Sequence, residues 1–163
     1  MEESKSENFS HEIRPLVLAL GMCYLFRLHD QSLRKNYRDE MIEIIKKYQT
    51  NFCTPRDCSF DAFEIIIRNE QDDYVNRMKC YPDGTAWNEA LLENILVMIV
   101  CIQTRIPVFI IGAPGSSKSL AIRIISMNLR GINSEDPYFR TLPQVYMISH
   151  QGSFSSTSEG IEK

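Results

Sequence analysis

The stretch Gly112-Ala-Pro-Gly-Ser-Ser-Lys-Ser119 constrains this chain more than any other feature. Its spacing, Gly-x-x-Gly-x-x-Lys-Ser, suits a loop that wraps a polyphosphate. Such a ligand needs several N–H donors converging on a small volume, and glycines let the backbone come close to it. The helix that follows adds its N-terminal N–H groups and the positive end of its dipole. The lysine adds a mobile ammonium, and the hydroxyl after it can hold Mg²⁺. This spacing arises by chance in roughly one chain in 200 of this length. The flanks sharpen the reading: Val108–Ile111 is a short apolar run suited to a buried strand, and Lys118–Arg130 has helical character. The plainer alternative is a glycine-rich turn between a strand and a helix. One position departs from the usual pattern, because Ser117 stands where glycine normally precedes the lysine. Serine keeps the backbone N–H but is poorly suited to torsions that glycine adopts freely. A loop that tightens there could hold nucleotide yet turn it over slowly.

Upstream of the loop the pattern is helical. Ile13–Leu28 is almost wholly apolar and predicts a helix buried on most of its surface, with Pro15 in its first turn. Leu33, Tyr37, Met41, Ile44, Ile45 and Tyr48 recur at helical spacing between charged residues, which predicts an amphipathic helix. A break at residues 51–56, around Thr54-Pro55, precedes a third helix expected over about residues 59–78, burying Phe60, Phe63, Ile66 and Ile67. Pro82-Asp83-Gly84 reads as a turn, with Thr85 as cap for a helix running to about Arg105. After the loop and its helix, Gly131 is placed to end that helix. A polar linker (132–143) leads to a second expected strand, Gln144–Ser149, and Ser156 and Glu159 have the spacing of a capping box.

The expected class is therefore α/β: a helical segment over residues 1–79, then over 80–163 the incomplete start of a three-layer α/β domain. One crossover and two strands cannot cover both faces of a parallel sheet, so the chain reads as a piece of a larger protein.

Composition excludes several alternatives. A net charge of −3 without a basic patch gives no reason to expect a nucleic-acid partner. The longest apolar run, Ile95–Ile102, is far short of the ~18 residues a membrane span needs, and the acidic N-terminus lacks signal-peptide character. A cytoplasmic location follows as the expectation. Cys23, Cys53, Cys58, Cys80 and Cys101 have no zinc-site spacing and are expected to be reduced and mostly buried. His11, His29 and His150 stand apart from one another.

"GAPGSSKSLA", preceded by "ENILVMIVCIQTRIPVFII" and followed by "LPQVYMISHQGSFSSTSEGI", resembles the mysterin family. These are giant AAA+ ATPases that carry a RING finger and act as E3 ubiquitin ligases. The two serines before the lysine, the Glu93-Asn94 pair and the segment "EIRPLVLALGMCYLFRL" share the resemblance, which covers about residues 12–161. It implies a module in a dynein-like ring of AAA+ units, with residues 80–163 opening one large subdomain and the preceding helices ending its neighbour. Gly112, Ala113, Pro114, Gly115, Ser116, Ser117, Lys118, Ser119 and Leu120 would form the P-loop (Walker A) that binds ATP. Lys118 would meet the phosphates as the catalytic cation, and Ser119 the Mg²⁺. Neighbouring AAA+ modules of the same chain are the implied partners. Ubiquitin and a ubiquitin-conjugating enzyme would engage only the full-length protein. Ser117 then reads as a family trait.

No apolar run ending in Asp-Glu follows the loop, and no RING array is present, so these residues alone are expected not to hydrolyse ATP appreciably. A dynein- or midasin-like ATPase without ligase activity, or a regulatory nucleotide-binding module, is the rival reading. For other residues the plain reading leads: Trp87 as a core or interface aromatic, Glu93 and Asn94 as hydrogen-bonded or facing a neighbouring module, Arg123 and Arg130 as solvated, Asp72-Asp73 as no acid/base pair, and His150 as structural.

Overall fold

The computed structural model describes residues 13–47, 61–149 and 157. The calls on Phe60, Cys53, Cys58, His11, His150, the break at 51–56 and the capping box at Ser156 and Glu159 lie outside those residues. The chain divides after Arg77 into two compact units, each with its own helices.

The first unit holds α1 (Ile13–Cys23), α2 (Gln31–Lys47) and α3 (Ala62–Arg77). Here α1 is shorter than its apolar run predicts: a 3₁₀ turn, Leu25–Arg27, replaces its last turn. Only one face of α1 is buried, through Ile13, Val17 and Gly21, while Leu16 is exposed. Gly21 marks the close approach to α3, since a Cβ there would sit 3.0 Å from Cδ1 of Ile67.

Helix α2 also differs from expectation. Its buried positions are Arg34, Ile42 and Ile45, whereas Leu33 and Ile44 face solvent. The difference has a local cause, because Nε of Arg34 donates to the carbonyl of Leu28 at 2.6 Å and brings the arginine stem inward. Asp30, just ahead of α2, accepts from the backbone N–H groups of Ser32 (2.7 Å) and Leu33 (3.2 Å). In α3 the expected Phe63, Ile66 and Ile67 are buried, and they join Ile13, Val17, Leu25, Ile42 and Ile45 in one core. The charged end of α3 pairs within the helix, Asp72 with Arg68 and Asp73 with Arg77.

The second unit is built on α4 (Glu89–Thr104) and α5 (Lys118–Asn128). Leu91, Leu92, Ile95, Leu96, Met98 and Ile99 of α4 are buried, as are Ala121, Ile124 and Ile125 of α5. Each buried Leu, Ile or Met among them contributes about 1.5–3 kcal/mol on leaving water. The cap of α4 is Asn88, whose Oδ1 accepts from Leu91 N–H at 2.9 Å. Thr85 instead closes the turn before it, donating to the carbonyl of Pro82 at 2.6 Å. Gly131 does not end α5: Leu129 does, and Gly131 (φ +58°) opens a 3₁₀ turn, Gly131–Asn133. Arg123 and Arg130 are exposed, as expected.

The two expected strands are not formed among the described residues. Residues 106–113 and 143–149 carry no helix or strand, and Phe109, Ile111 and Ile148 are 91%, 92% and 92% exposed. A strand exists only by pairing, and apolar β-branched residues do not supply the partner. The second segment is tied to α5 by one backbone bond, Val145 N–H to Leu129 C=O at 2.9 Å. Nor are the described cysteines mostly buried: Cys23 is exposed and Cys80 and Cys101 are half-buried, all three as free thiols. No helix among the described residues is long and apolar enough to cross a membrane.

Candidate phosphate-binding loop

The loop spans the exit of an extended segment and the first turn of α5. Gly112 and Ala113 end the segment, Pro114 and Gly115 form a turn, and Ser116 and Ser117 bend into the helix that begins at Lys118. Gly115 has φ +84° and nothing within 4 Å of where a Cβ would stand, so the loop is open beside it. Gly112 is crowded instead, and a Cβ there would lie 2.8 Å from Oγ of Ser116. Gly115 is thus favoured by its torsion, and a Cβ at Gly112 would displace the Ser116 hydroxyl.

Ser117, the departure from the usual pattern, is left-handed, with φ 58° and ψ 10°. The loop therefore keeps the backbone turn that glycine would take without strain. For serine that conformation costs roughly 1–2 kcal/mol. Two asparagines from α4 and its cap meet the loop here. Nδ2 of Asn94 donates to the carbonyl of Ser116 at 2.9 Å. Asn88 and the Ser117 hydroxyl meet in a longer contact of 3.4–3.5 Å.

Lys118 folds over the loop. Its ammonium donates to the carbonyls of Gly112 (2.6 Å) and Ala113 (2.7 Å) and to Oγ of Ser116 (2.8 Å). Ser116 Oγ donates in turn to the carbonyl of Ala113 at 2.9 Å. A cation is thereby held at the centre of the loop. Ser117 provides no side-chain cap to α5, so the first N–H groups of that helix are left to an external acceptor. Ser119 is exposed in the first turn, and Leu120 is half-buried beside it. The loop carries the groups a phosphate-bearing ligand needs: an open glycine turn, uncapped first-turn amides and one ammonium.

The far end of α5 is anchored by a residue that sequence reasoning missed. Asn128, buried at the end of α5, accepts from the N–H groups of Lys79 (2.9 Å) and Cys80 (3.0 Å). It also donates to the carbonyls of Cys80 (2.5 Å) and Ile124 (2.8 Å). The available signal was its place in the buried stripe Ala121, Ile124, Ile125, Asn128, where a polar residue must find partners. Asn94 was singled out from sequence, but not as a loop contact. Trp87 is half-buried and packs edge-on against Tyr81, ring centroids 5.3 Å apart. The Cys80 thiol donates to Oε1 of Glu135 at 3.3 Å. That bond, with burial and the carboxylate's charge, pushes the thiol pKa up. Among the described residues no group of His, Cys, Asp and Glu side chains is placed to hold a metal ion.

Residues 84–163 match the family described as the RNF213 AAA domain. Three curated relatives are similar over most of the chain. The zebrafish (Danio rerio) E3 ubiquitin-protein ligase rnf213-beta is 36% identical over 155 residues, 95% of this chain. The human E3 ubiquitin-protein ligase RNF213 is 38% identical over 152 residues, 90% of this chain, and the mouse protein of that name 32% over 165 residues, 99% of it. The chain spans about 3% of the length of each of these relatives.

Proposed function

This chain belongs to the mysterin family, matching its RNF213 AAA domain over residues 84–163, and from that premise we propose that residues 112–120 bind the phosphates of ATP. The observation that carries the reading is the cation at the loop's centre: Lys118 Nζ, 2.6–2.8 Å from three loop oxygens, beside uncapped helix amides. The ammonium exchanges those oxygens for phosphate oxygens when nucleotide enters. The uncapped amides at the start of α5 would take the remaining negative charge, and the Ser119 hydroxyl would hold Mg²⁺. That ion, when bound, neutralises charge on the phosphate oxygens.

In the complete protein the extended segments around Phe109 and Ile148 enter the sheet of a three-layer α/β AAA+ domain. Their exposed apolar side chains support this, being costly to leave in water. Hydrolysis there would be in-line attack of water on the γ-phosphate: the bond to the β,γ-bridging oxygen breaks as the new one forms, ADP and phosphate leave, and Lys118 meets the developing charge. The whole protein couples that cycle, through neighbouring AAA+ modules, to ubiquitin transfer in the cytoplasm. The 163-residue chain alone turns ATP over poorly, since no acidic water-positioning pair follows the loop.

A second reading, a regulatory module that holds nucleotide with little turnover, draws on the strained Ser117. Amide NMR mapping tests the binding claim. Addition of Mg-ADP should shift Gly115, Ser117, Lys118 and Ser119 first and most. Shifts confined to other residues would refute it.

A further inference from the structure

The Ser116–Ser117 peptide sits at the centre of the loop, and its orientation decides what the loop offers an anion. In a trans peptide the C=O and N–H point to opposite sides. The Ser116 carbonyl is turned onto Nδ2 of Asn94 at 2.9 Å, so the Ser117 N–H is aimed away from α4. Rotating this one peptide would bring φ of Ser117 from +58° into the negative region that serine prefers. The same rotation would replace an N–H donor with a carbonyl, which repels phosphate. A loop with glycine at 117 feels little pull toward that flip, whereas this loop does.

We propose that Asn94 is a positioning residue that latches the Ser116–Ser117 peptide in its anion-accepting orientation and so compensates for serine at the glycine position. The inference rests on the phosphate-binding reading above. It requires only contacts within the second unit: α4 carries Asn94 on its second turn, and Asn88 steadies the Ser117 hydroxyl from the cap. Asn94 bonds the loop at a backbone carbonyl, so it acts on a nucleotide through that peptide.

A double-mutant cycle tests it, with Mg-ADP affinity measured by calorimetry on the 163-residue chain and on Asn94→Ala, Ser117→Gly and the double variant. Without the latch, part of the population flips and apparent affinity falls by the fraction lost. Asn94→Ala should weaken binding about three- to fivefold. In the Ser117→Gly background the same change should cost less than about twofold. Backbone NMR shifts of Ser117 read the torsion directly and should move toward negative φ in Asn94→Ala even without nucleotide. Equal losses in both backgrounds, or an unmoved torsion, would overturn the latch while leaving phosphate binding intact. A wild-type chain that binds no Mg-ADP would overturn the binding reading and the latch with it.

Discussion

Asn128 clasps the main chain of Cys80 from both sides, its Oδ1 accepting from the N–H at 3.0 Å and its Nδ2 donating to the C=O at 2.5 Å. The bond pair resembles one rung of a β-ladder, made by a side chain. It ties the chain before α4 to the end of α5, whose other end carries Lys118. Replacing Asn128 with Ala removes the partner of both the Cys80 N–H and the Cys80 carbonyl. The loss should be about 2 kcal/mol in urea unfolding. Asn128→Asp should not restore it, because a carboxylate oxygen would then face the carbonyls of Cys80 and Ile124.

Ser117→Gly should stabilise the chain. Relief of the left-handed strain is worth roughly 1–2 kcal/mol, and glycine's extra unfolded-state freedom offsets roughly 0.5–1 of it. A net gain of about 0.5–1 kcal/mol should appear as a higher Tm; a lower Tm would mean the hydroxyl contact with Asn88 outweighs the strain.

The Cys80 thiol should alkylate slowly. Its bond to Glu135 favours the protonated form and raises its pKa, so less thiolate is present at mildly alkaline pH than for an ordinary cysteine. Glu135→Gln removes the carboxylate's charge and should speed the reaction of Cys80 with iodoacetamide, followed by peptide mass spectrometry. Cys101, whose pKa is raised by burial alone, should keep its rate in that variant.

Acid should loosen the start of α2. Three donations, from the Ser32 hydroxyl first and then the N–H groups of Leu33 and Ser32, hold the Asp30 carboxyl below its usual 3.8. A depressed carboxyl adds stability that is fully present above the unfolded pKa and is lost as pH falls through the folded one. Amide exchange at Ser32 and Leu33, corrected for its intrinsic pH dependence, should lose protection below about pH 4. Asp30→Asn should flatten that profile.

How much of this was legible in the sequence depends on the range of the interaction. The turn at Pro82-Asp83-Gly84, α4, α5 and the loop between the last two are local patterns of glycine, proline and apolar spacing, and the structure has them in those places. The caps were harder: Thr85 and Asn88 both have capping chemistry, and only the backbone path decides between them. The strands around Phe109 and Ile148 failed for another reason, since β-propensity describes a residue's fit to a sheet and not the sheet's presence. In α2, Ile42 was passed over because Arg34 has the composition of a surface residue, and its bond to Leu28 shows only in three dimensions. Asn94 and Asn128 act on residues 22 and 48 positions away, a pairing that no periodicity reports.

The central claim is that the loop holds a nucleotide by its phosphates. Its most direct test is the equilibrium affinity of the chain for Mg-ATP beside that of Lys118→Ala. The account predicts saturable binding by the first and a loss of about tenfold or more in the second, as removal of a charge-assisted contact entails. Equal affinities, or affinities untouched when phosphate is supplied as competitor, would contradict it.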